Sequence, residues 1–252
     1  MLKRFLILFA LIMALSVPAL AQEKGKVYIN GIDANFPPFA FVGPDGKPTG
    51  FDVEAMDWIA KEMGFEVKHQ PMEWSGIVAS LKARKIDMIS SGLSVTAERS
   101  TQIDFSKPYW TIKQVVVVPK DSDLTVEKTL TSGLKVGVQS GTSDAKAMAD
   151  TNGKDGRKYE LAQYPSAALA AQDVMNGRID AAVMNDAPAA EAAAKIAVKV
   201  IGEAGIPNEE FAVGVAKDDP ETLKMVNEGL EKLMADPFWQ TLIDKYKPGE
   251  VH

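Results

Sequence analysis

This chain is predicted to fold as an α/β protein of two lobes joined by a two-strand hinge, and three observations predict it. Short apolar and β-branched runs alternate with segments whose apolar residues recur at helical spacing, the pattern of layered α/β folds with largely parallel sheets. The second half restates the first: Lys26-Val27-Tyr28-Ile29 leads into Gly31-Ile32-Asp33, and Leu134-Lys135-Val136-Gly137-Val138 leads into Gln139-Ser140-Gly141-Thr142. Likewise a helix ending Lys82-Ala83-Arg84-Lys85 precedes Ile86-Asp87, and one ending Val174-Met175-Asn176-Gly177-Arg178 precedes Ile179-Asp180, 93 residues further on. Finally, two extended segments without a helical crossover, near Val117 and near Phe211, pass between the halves and would form a hinge that closes on whatever lies in the cleft.

Taken in order, residues 1–21 read as a cleaved signal peptide. Lys3 and Arg4 start it, 5–17 is an apolar run, and Ala19-Leu20-Ala21 is the small-residue cleavage site. The run is too short for a membrane span, so no direct membrane insertion is expected. Removing this segment leaves 231 residues and takes two positive charges with it, lowering the net charge from −6 to −8. That acidic balance disfavours nucleic acid and anionic membrane as partners.

The chain has no cysteine. It is long enough to build a core without disulfides, and it offers no thiolate nucleophile, no cysteine-based metal site and no lipid-bearing cysteine at the cleavage point. The expected location is therefore a bacterial periplasm. The two histidines, His69 in a polar strand edge and the terminal His252, give little basis for Ser-His-Asp or zinc chemistry. No catalytic residue, metal site or cofactor is expected.

The first lobe is placed at 26–116 plus 212–252, and the second at 117–211. A strand at 27–31 precedes a helix at 51–63, whose face is Phe51, Ala55, Trp58, Ile59 and Met63 and whose stop is Gly64. A helix at 77–83 and a strand at 86–89 run into a turn of small residues, Ser90, Ser91, Gly92 and Ser94, followed by Arg99. Free backbone N–H groups, small hydroxyls and a planar guanidinium fork suit a small carboxylate. The run 115–118 is a continuous β-branched strand, 187–197 an Ala-rich helix face, and 207–215 is extended before helices at 221–234 and 237–246. In open α/β sheets, ligands bind at the carboxyl ends of the strands.

The segments GIDANFPPFAF, GFDVEAM, LKARKIDMISSGLSVTAER, IDFSKPYW, KVGVQSGTS and GRIDAAVMNDAPAA together resemble the periplasmic amino-acid-binding proteins. These are the family 3 solute-binding subunits of ATP-driven (ABC) importers. The resemblance runs through nearly all of the chain beyond the signal segment. It implies a type II periplasmic-binding fold, a monomer holding one amino acid in the cleft, and docking on a membrane permease. It implies that Arg99 clamps the α-carboxylate with Ser94, Thr142 and Ser143, and that Asp186 takes the α-ammonium opposite Ser91 and the Gly92 carbonyl. Phe36 and Trp74 would form the aromatic walls, with Asp33, Gln139 and Asn185 as the polar floor. One carboxylate with two amides suits glutamine or a basic side chain, and disfavours a dicarboxylic amino acid because two like charges would face each other. Two other uses of the same fold remain open: a cyclohexadienyl or arogenate dehydratase, which needs a cleft acid with a raised pKa, and a sensor-associated binding module.

Overall fold

The structure is a computed structural model that describes residues 26–247, so the expected signal peptide lies outside the described residues. Two five-stranded mixed sheets share one arrangement. In the first, the order is Glu66–Pro71, Val27–Ile32, Met88–Ile89, Gly214–Ala216 and Ile103–Phe105. In the second it is Tyr159–Tyr164, Leu134–Gln139, Ala181–Asn185, Gln114–Pro119 and Val198–Glu203. The first three strands of each run parallel, and the fourth is antiparallel to both its neighbours. That fourth strand is always the one the chain lays down on arriving from the other half.

The repeat read in the sequence is a repeated hydrogen-bonding device. The Asp87 carboxylate accepts the Ile29 N–H at 2.7 Å, and the Asp87 N–H returns to the Ile29 carbonyl at 2.8 Å. Asp180 and Lys135 do the same at 2.8 and 2.9 Å. In both halves the preceding isoleucine fills the space beside a strand glycine. A Cβ on Gly31 would stand 2.5 Å from Ile86 Cδ1, and one on Gly137 would stand 2.6 Å from Ile179 Cδ1. The expected strand at 86–89 is accordingly shorter, Met88–Ile89, because Asp87 meets its neighbour through its side chain.

Burial explains the unbroken valine run. Val115 and Val117 pack on one face of the second sheet, and Val116 and Val118 on the other, so both faces are covered. The chain changes sheets at Trp110–Ile112 and Glu209–Phe211, which pair antiparallel with each other. Val117, near which a crossing is expected from the sequence, sits inside the second sheet, since Gln114 already pairs with Asn185 there. The terminal helices Pro220–Ala235 and Pro237–Tyr246 belong with the first sheet's layer. Gly229 lets the first of them approach the helix Phe51–Met63, where a Cβ would come within 2.4 Å of Ile59. Gly64 ends that helix in the left-handed conformation, φ 76°. The sequence reading did not find the small three-stranded sheet Asn35–Phe36, Ala40–Val42 and Pro48–Thr49, whose strands are too short to carry a pattern.

Candidate ligand-binding cleft

A small cavity lies between the two halves. Its wall is built from the carboxyl ends of parallel strands. Asp33 follows Val27–Ile32, Trp74 follows Glu66–Pro71, and Ser91, Gly92 and Ser94 follow Met88–Ile89. From the other half, Gln139 ends Leu134–Gln139, Asn185 ends Ala181–Asn185, and Thr142 and Ser143 open the helix Ser143–Thr151. Phe36 and Arg99 complete the lining. A strand end delivers free backbone groups and side chains to one edge, which is why segments following five strands of the two halves can converge on a single small space.

Arg99 is held before any ligand is considered. Thr96 caps its short helix by accepting the Arg99 N–H at 3.1 Å. Its guanidinium donates to the Ser94 carbonyl at 2.9 Å and, across the cleft, to the Gly141 carbonyl at 3.2 Å. The guanidinium also lies 5.6 Å from the centroid of the Trp74 ring, within cation–π range. Burial pulls its pKa down from the usual value, and the charges of Glu209, Asp144 and Glu98 oppose that. Beside it, the Trp74 indole N–H is buried without an acceptor.

Asp33 is the acid on the wall. Its Oδ2 accepts Gln139 Nε2 across the cleft at 2.6 Å, and its Oδ1 accepts the Asn35 N–H at 2.9 Å. Its own N–H donates to Ser91 Oγ at 3.0 Å. Burial raises the Asp33 pKa, the Asn35 and Gln139 bonds draw it back, and Glu73 adds a repulsion. Gln139 gives its other N–H to the Pro165 carbonyl at 3.2 Å, so its carbonyl oxygen is left facing outward from both bonds. Asn185 Nδ2 leans on the Asp144 carboxylate at 3.4 and 3.5 Å.

Gly92 needs its lack of a side chain. It sits at φ 62°, and a Cβ would stand 2.4 Å from Phe36 Cε1 and 3.2 Å from Phe211. Its N–H donates to Asp52 Oδ2 at 2.6 Å, and the Tyr109 hydroxyl donates to the same oxygen at 2.8 Å. Burial pushes the Asp52 pKa up to about 7 against those two bonds. Phe36 stacks on Phe39, ring centroids 5.6 Å apart, and Phe39 is fully buried.

The sequence profile of the bacterial extracellular solute-binding proteins, family 3, matches residues 28–249. The chain belongs to that family. An L-cystine-binding protein of Escherichia coli K12 is 33% identical over 235 residues, 91% of this chain and 85% of its own. The ABC transporter arginine-binding protein 1 of the same strain is 29% identical over 249 residues, 96% and 98% of the two chains. Among solved structures, an ancestral arginine-binding protein bound to arginine superposes with TM-score 0.79 at 32% identity, covering 88% of this chain and 99% of that one. An ancestral amino acid-binding protein described as a precursor of cyclohexadienyl dehydratase gives TM-score 0.80 at 34% identity, covering 87% and 95%. The expected two-lobed periplasmic-binding fold is therefore the fold of this family member. No helix among the described residues is long and apolar enough to cross a membrane, and no group of three or more His, Asp or Glu side chains there could hold a metal ion.

Eleven of the twelve residues expected at the site line the one cavity: Asp33, Phe36, Trp74, Ser91, Gly92, Ser94, Arg99, Gln139, Thr142, Ser143 and Asn185. Asp186 does not. It is the first residue of the helix Asp186–Lys195, and its carboxylate accepts the Ala187 N–H at 2.9 Å. A helix start offers unsatisfied N–H groups and the positive end of the dipole, so the acid is drawn to its own helix. Two residues around the site were not foreseen, Asp52, which holds Gly92, and Glu209, which accepts the Ser143 hydroxyl at 2.6 Å; Asp144, which the sequence places among the cleft loops without a role, holds Asn185. Asp52 and Asp144 read as ordinary acids in the first turn of a helix, and nothing near Glu209 in the sequence signals a partner 66 residues away.

Proposed function

We propose that this chain is the solute-binding component of an amino-acid ABC importer, exported by its signal segment to the periplasm, and that it captures one amino acid with a basic side chain by closing its two lobes. The observation that carries this is the pairing on one cavity wall of a fixed cation, Arg99, with an acid, Asp33, among small hydroxyls and two aromatic rings. A zwitterion needs both signs of charge in one space. Arg99 and Ser94 take the α-carboxylate, with backbone N–H groups of the helix start at Ser143 adding to the guanidinium, while the Thr142 and Ser143 hydroxyls give their protons to the Gln139 carbonyl and to Glu209.

The polar floor selects the side chain. Gln139 spends its N–H groups on Asp33 and Pro165, and Asn185 turns its own toward Asp144, so both amides offer oxygens. With Asp33, that makes a floor of acceptors, which a guanidinium or ammonium satisfies better than the mixed donor and acceptor of a glutamine amide. The charges facing Arg99 and Asp33 are mostly acidic, namely Glu209, Asp144, Glu98 and Glu73, and favour a ligand of net positive charge. A ligand with two cations also needs two acids. Asp186, next to the lining residue Asn185, is the second, taking the α-ammonium once its side chain turns from Ala187.

Closure is supported by two hydrogen bonds that span the cleft, Gln139 to Asp33 and Arg99 to Gly141, and by the approach of the Ser94 and Ser143 hydroxyls to 3.4 Å. The hinge is the strand pair Trp110–Ile112 and Glu209–Phe211. The protein acts as a monomer that presents the loaded, closed form to the permease, and does no chemistry on its ligand. A dehydratase would need a free general acid in the cavity, and the acid on this wall, Asp33, is already occupied by Gln139 and Asn35. Calorimetric titration of residues 22–252 against the twenty amino acids tests the proposal. Saturable binding of a basic amino acid, lost in Arg99→Ala, is expected. Turnover of prephenate or arogenate without amino-acid binding would overturn it.

A further inference from the structure

Three observations converge on Glu209. Its Oε2 accepts the hydroxyl of Ser143, a residue of the cavity wall, at 2.6 Å. Among the acidic charges acting on the Arg99 guanidinium it ranks ahead of Asp144 and Glu98. And it lies on the returning hinge strand Glu209–Phe211, whose next two residues hold the carboxylate cradle: the Glu210 carbonyl accepts the Val95 N–H at 2.9 Å, and Phe211 forms a bridge with Ser94.

A hydroxyl has one proton to give. While Ser143 gives its proton to Glu209, it has none for a second acid, and an anion entering at Arg99 meets a carboxylate already acting on the same guanidinium. Glu209 lies behind this wall, not in the ligand cavity, and two like charges acting on one guanidinium disfavour each other, with a penalty that grows with every further negative charge the ligand carries.

We propose that Glu209 sets the charge selectivity of the cleft: by its charge near Arg99 and its hold on the Ser143 proton, it admits the single carboxylate of a ligand that brings compensating positive charge and rejects ligands bearing a second acid. This rests on the amino-acid-binding reading above and deepens it. Glu209 is half-buried on the strand, so replacing it leaves the packed interior of both lobes alone.

The test is calorimetric titration of residues 22–252 as wild type, Glu209→Gln and Glu209→Asp. The probes are L-arginine, L-glutamine, L-glutamate and agmatine, which is arginine without its carboxylate. Glutamine at 209 keeps an oxygen for Ser143 and removes the charge, whereas aspartate keeps the charge. In Glu209→Gln, glutamate binds about threefold tighter or better, glutamine gains less, arginine changes least because its net positive charge loses an attraction as its carboxylate loses a repulsion, and agmatine weakens. Glu209→Asp retains the wild-type preference against glutamate. An unchanged preference in Glu209→Gln overturns the proposal. So does a weakening of arginine and agmatine by one common factor, which would mark Glu209 as mere support for Ser143. Melting curves followed by circular dichroism establish that each variant is folded. If the wild type binds none of the three amino acids, the amino-acid-binding reading itself fails, before any variant is compared.

Discussion

Gln139 Nε2 lies 2.6 Å from Asp33 Oδ2, a bond between the two halves of the molecule made by side chains 106 residues apart. It orders both partners at once: the carboxylate fixes the amide so that its nitrogen faces Asp33, which leaves the amide oxygen as the remaining acceptor. Asp33→Asn removes the charge but keeps the shape. We expect it to weaken a basic ligand roughly ten- to hundredfold, the ~1.5–3 kcal/mol of a hydrogen bond to a charged group, and to weaken L-glutamine much less. Titration of both ligands against the variant decides it, and equal losses for the two would exclude Asp33 as the side-chain partner.

Gly92→Ala is the sharpest steric test of the cavity wall. The residue holds φ 62°, and the added methyl would stand 2.4 Å from a Phe36 ring carbon. That ring is stacked on Phe39 and lies 6.4 Å from Phe211, centroid to centroid, so it has little room to retreat. A cost of about 1–3 kcal/mol is expected for a non-glycine residue held there, read as a lower Tm, together with weaker ligand binding because Phe36 is displaced. A variant as stable as wild type with full affinity would show that the wall yields more than its packing suggests.

Asp52 and Asp144 give the fold a pH dependence of predictable sign. Burial raises both carboxyls to about 7 from an ordinary 3.8. Each therefore holds its proton in the folded state at pH values where the unfolded chain has released it. Between pH 4 and 7 the folded state binds more protons, and stability falls as pH rises across that window. The effect is on the order of a few kcal/mol for two such groups. Thermal melts from pH 5 to 8 should show Tm decreasing. In Asp52→Asn the decrease is shallower, with the remaining slope coming from Asp144 and from Asp33 and Asp186, whose carboxyls burial also raises. An identical slope in the variant would remove Asp52 from the account.

How much of this was legible beforehand depends on whether a signal is local. Ile86-Asp87 and Ile179-Asp180 announced a repeat because each pair performs its task against a strand nearby in the same half. The cavity residues were legible because loops at strand ends carry small polar residues and an arginine that a buried strand would not tolerate. Glu209 was not, since its meaning comes from Ser143 and Arg99, which other parts of the fold bring to it. The crossing strand was placed too late because Val115 to Val118 reads the same whether it bridges two lobes or lies in the middle of one sheet; pairing with Ala182 and Val183 decides that, and pairing is not written in the run itself.

Asp186 is where the sequence and the structure differ most, and one experiment separates the two roles it could have. If its carboxylate turns from the Ala187 N–H to an α-ammonium, Asp186→Asn should weaken L-arginine about tenfold or more while leaving the α-hydroxy analogue of arginine, which has no ammonium, within about twofold of wild type. If it serves only its helix, the two ligands change together, and Tm falls because the stability a first-turn acid contributes, about 0.3–1 kcal/mol, is lost. The comparison turns on the ratio of the two affinities, so a general loosening of the cleft moves both and cannot imitate the first outcome. Because Asp33 lines the cavity and Asp186 does not, the ammonium role requires a side-chain rotation on binding, and we expect the Asp186 carboxyl resonance in NMR to shift on titration with L-arginine and to stay in place with the hydroxy analogue.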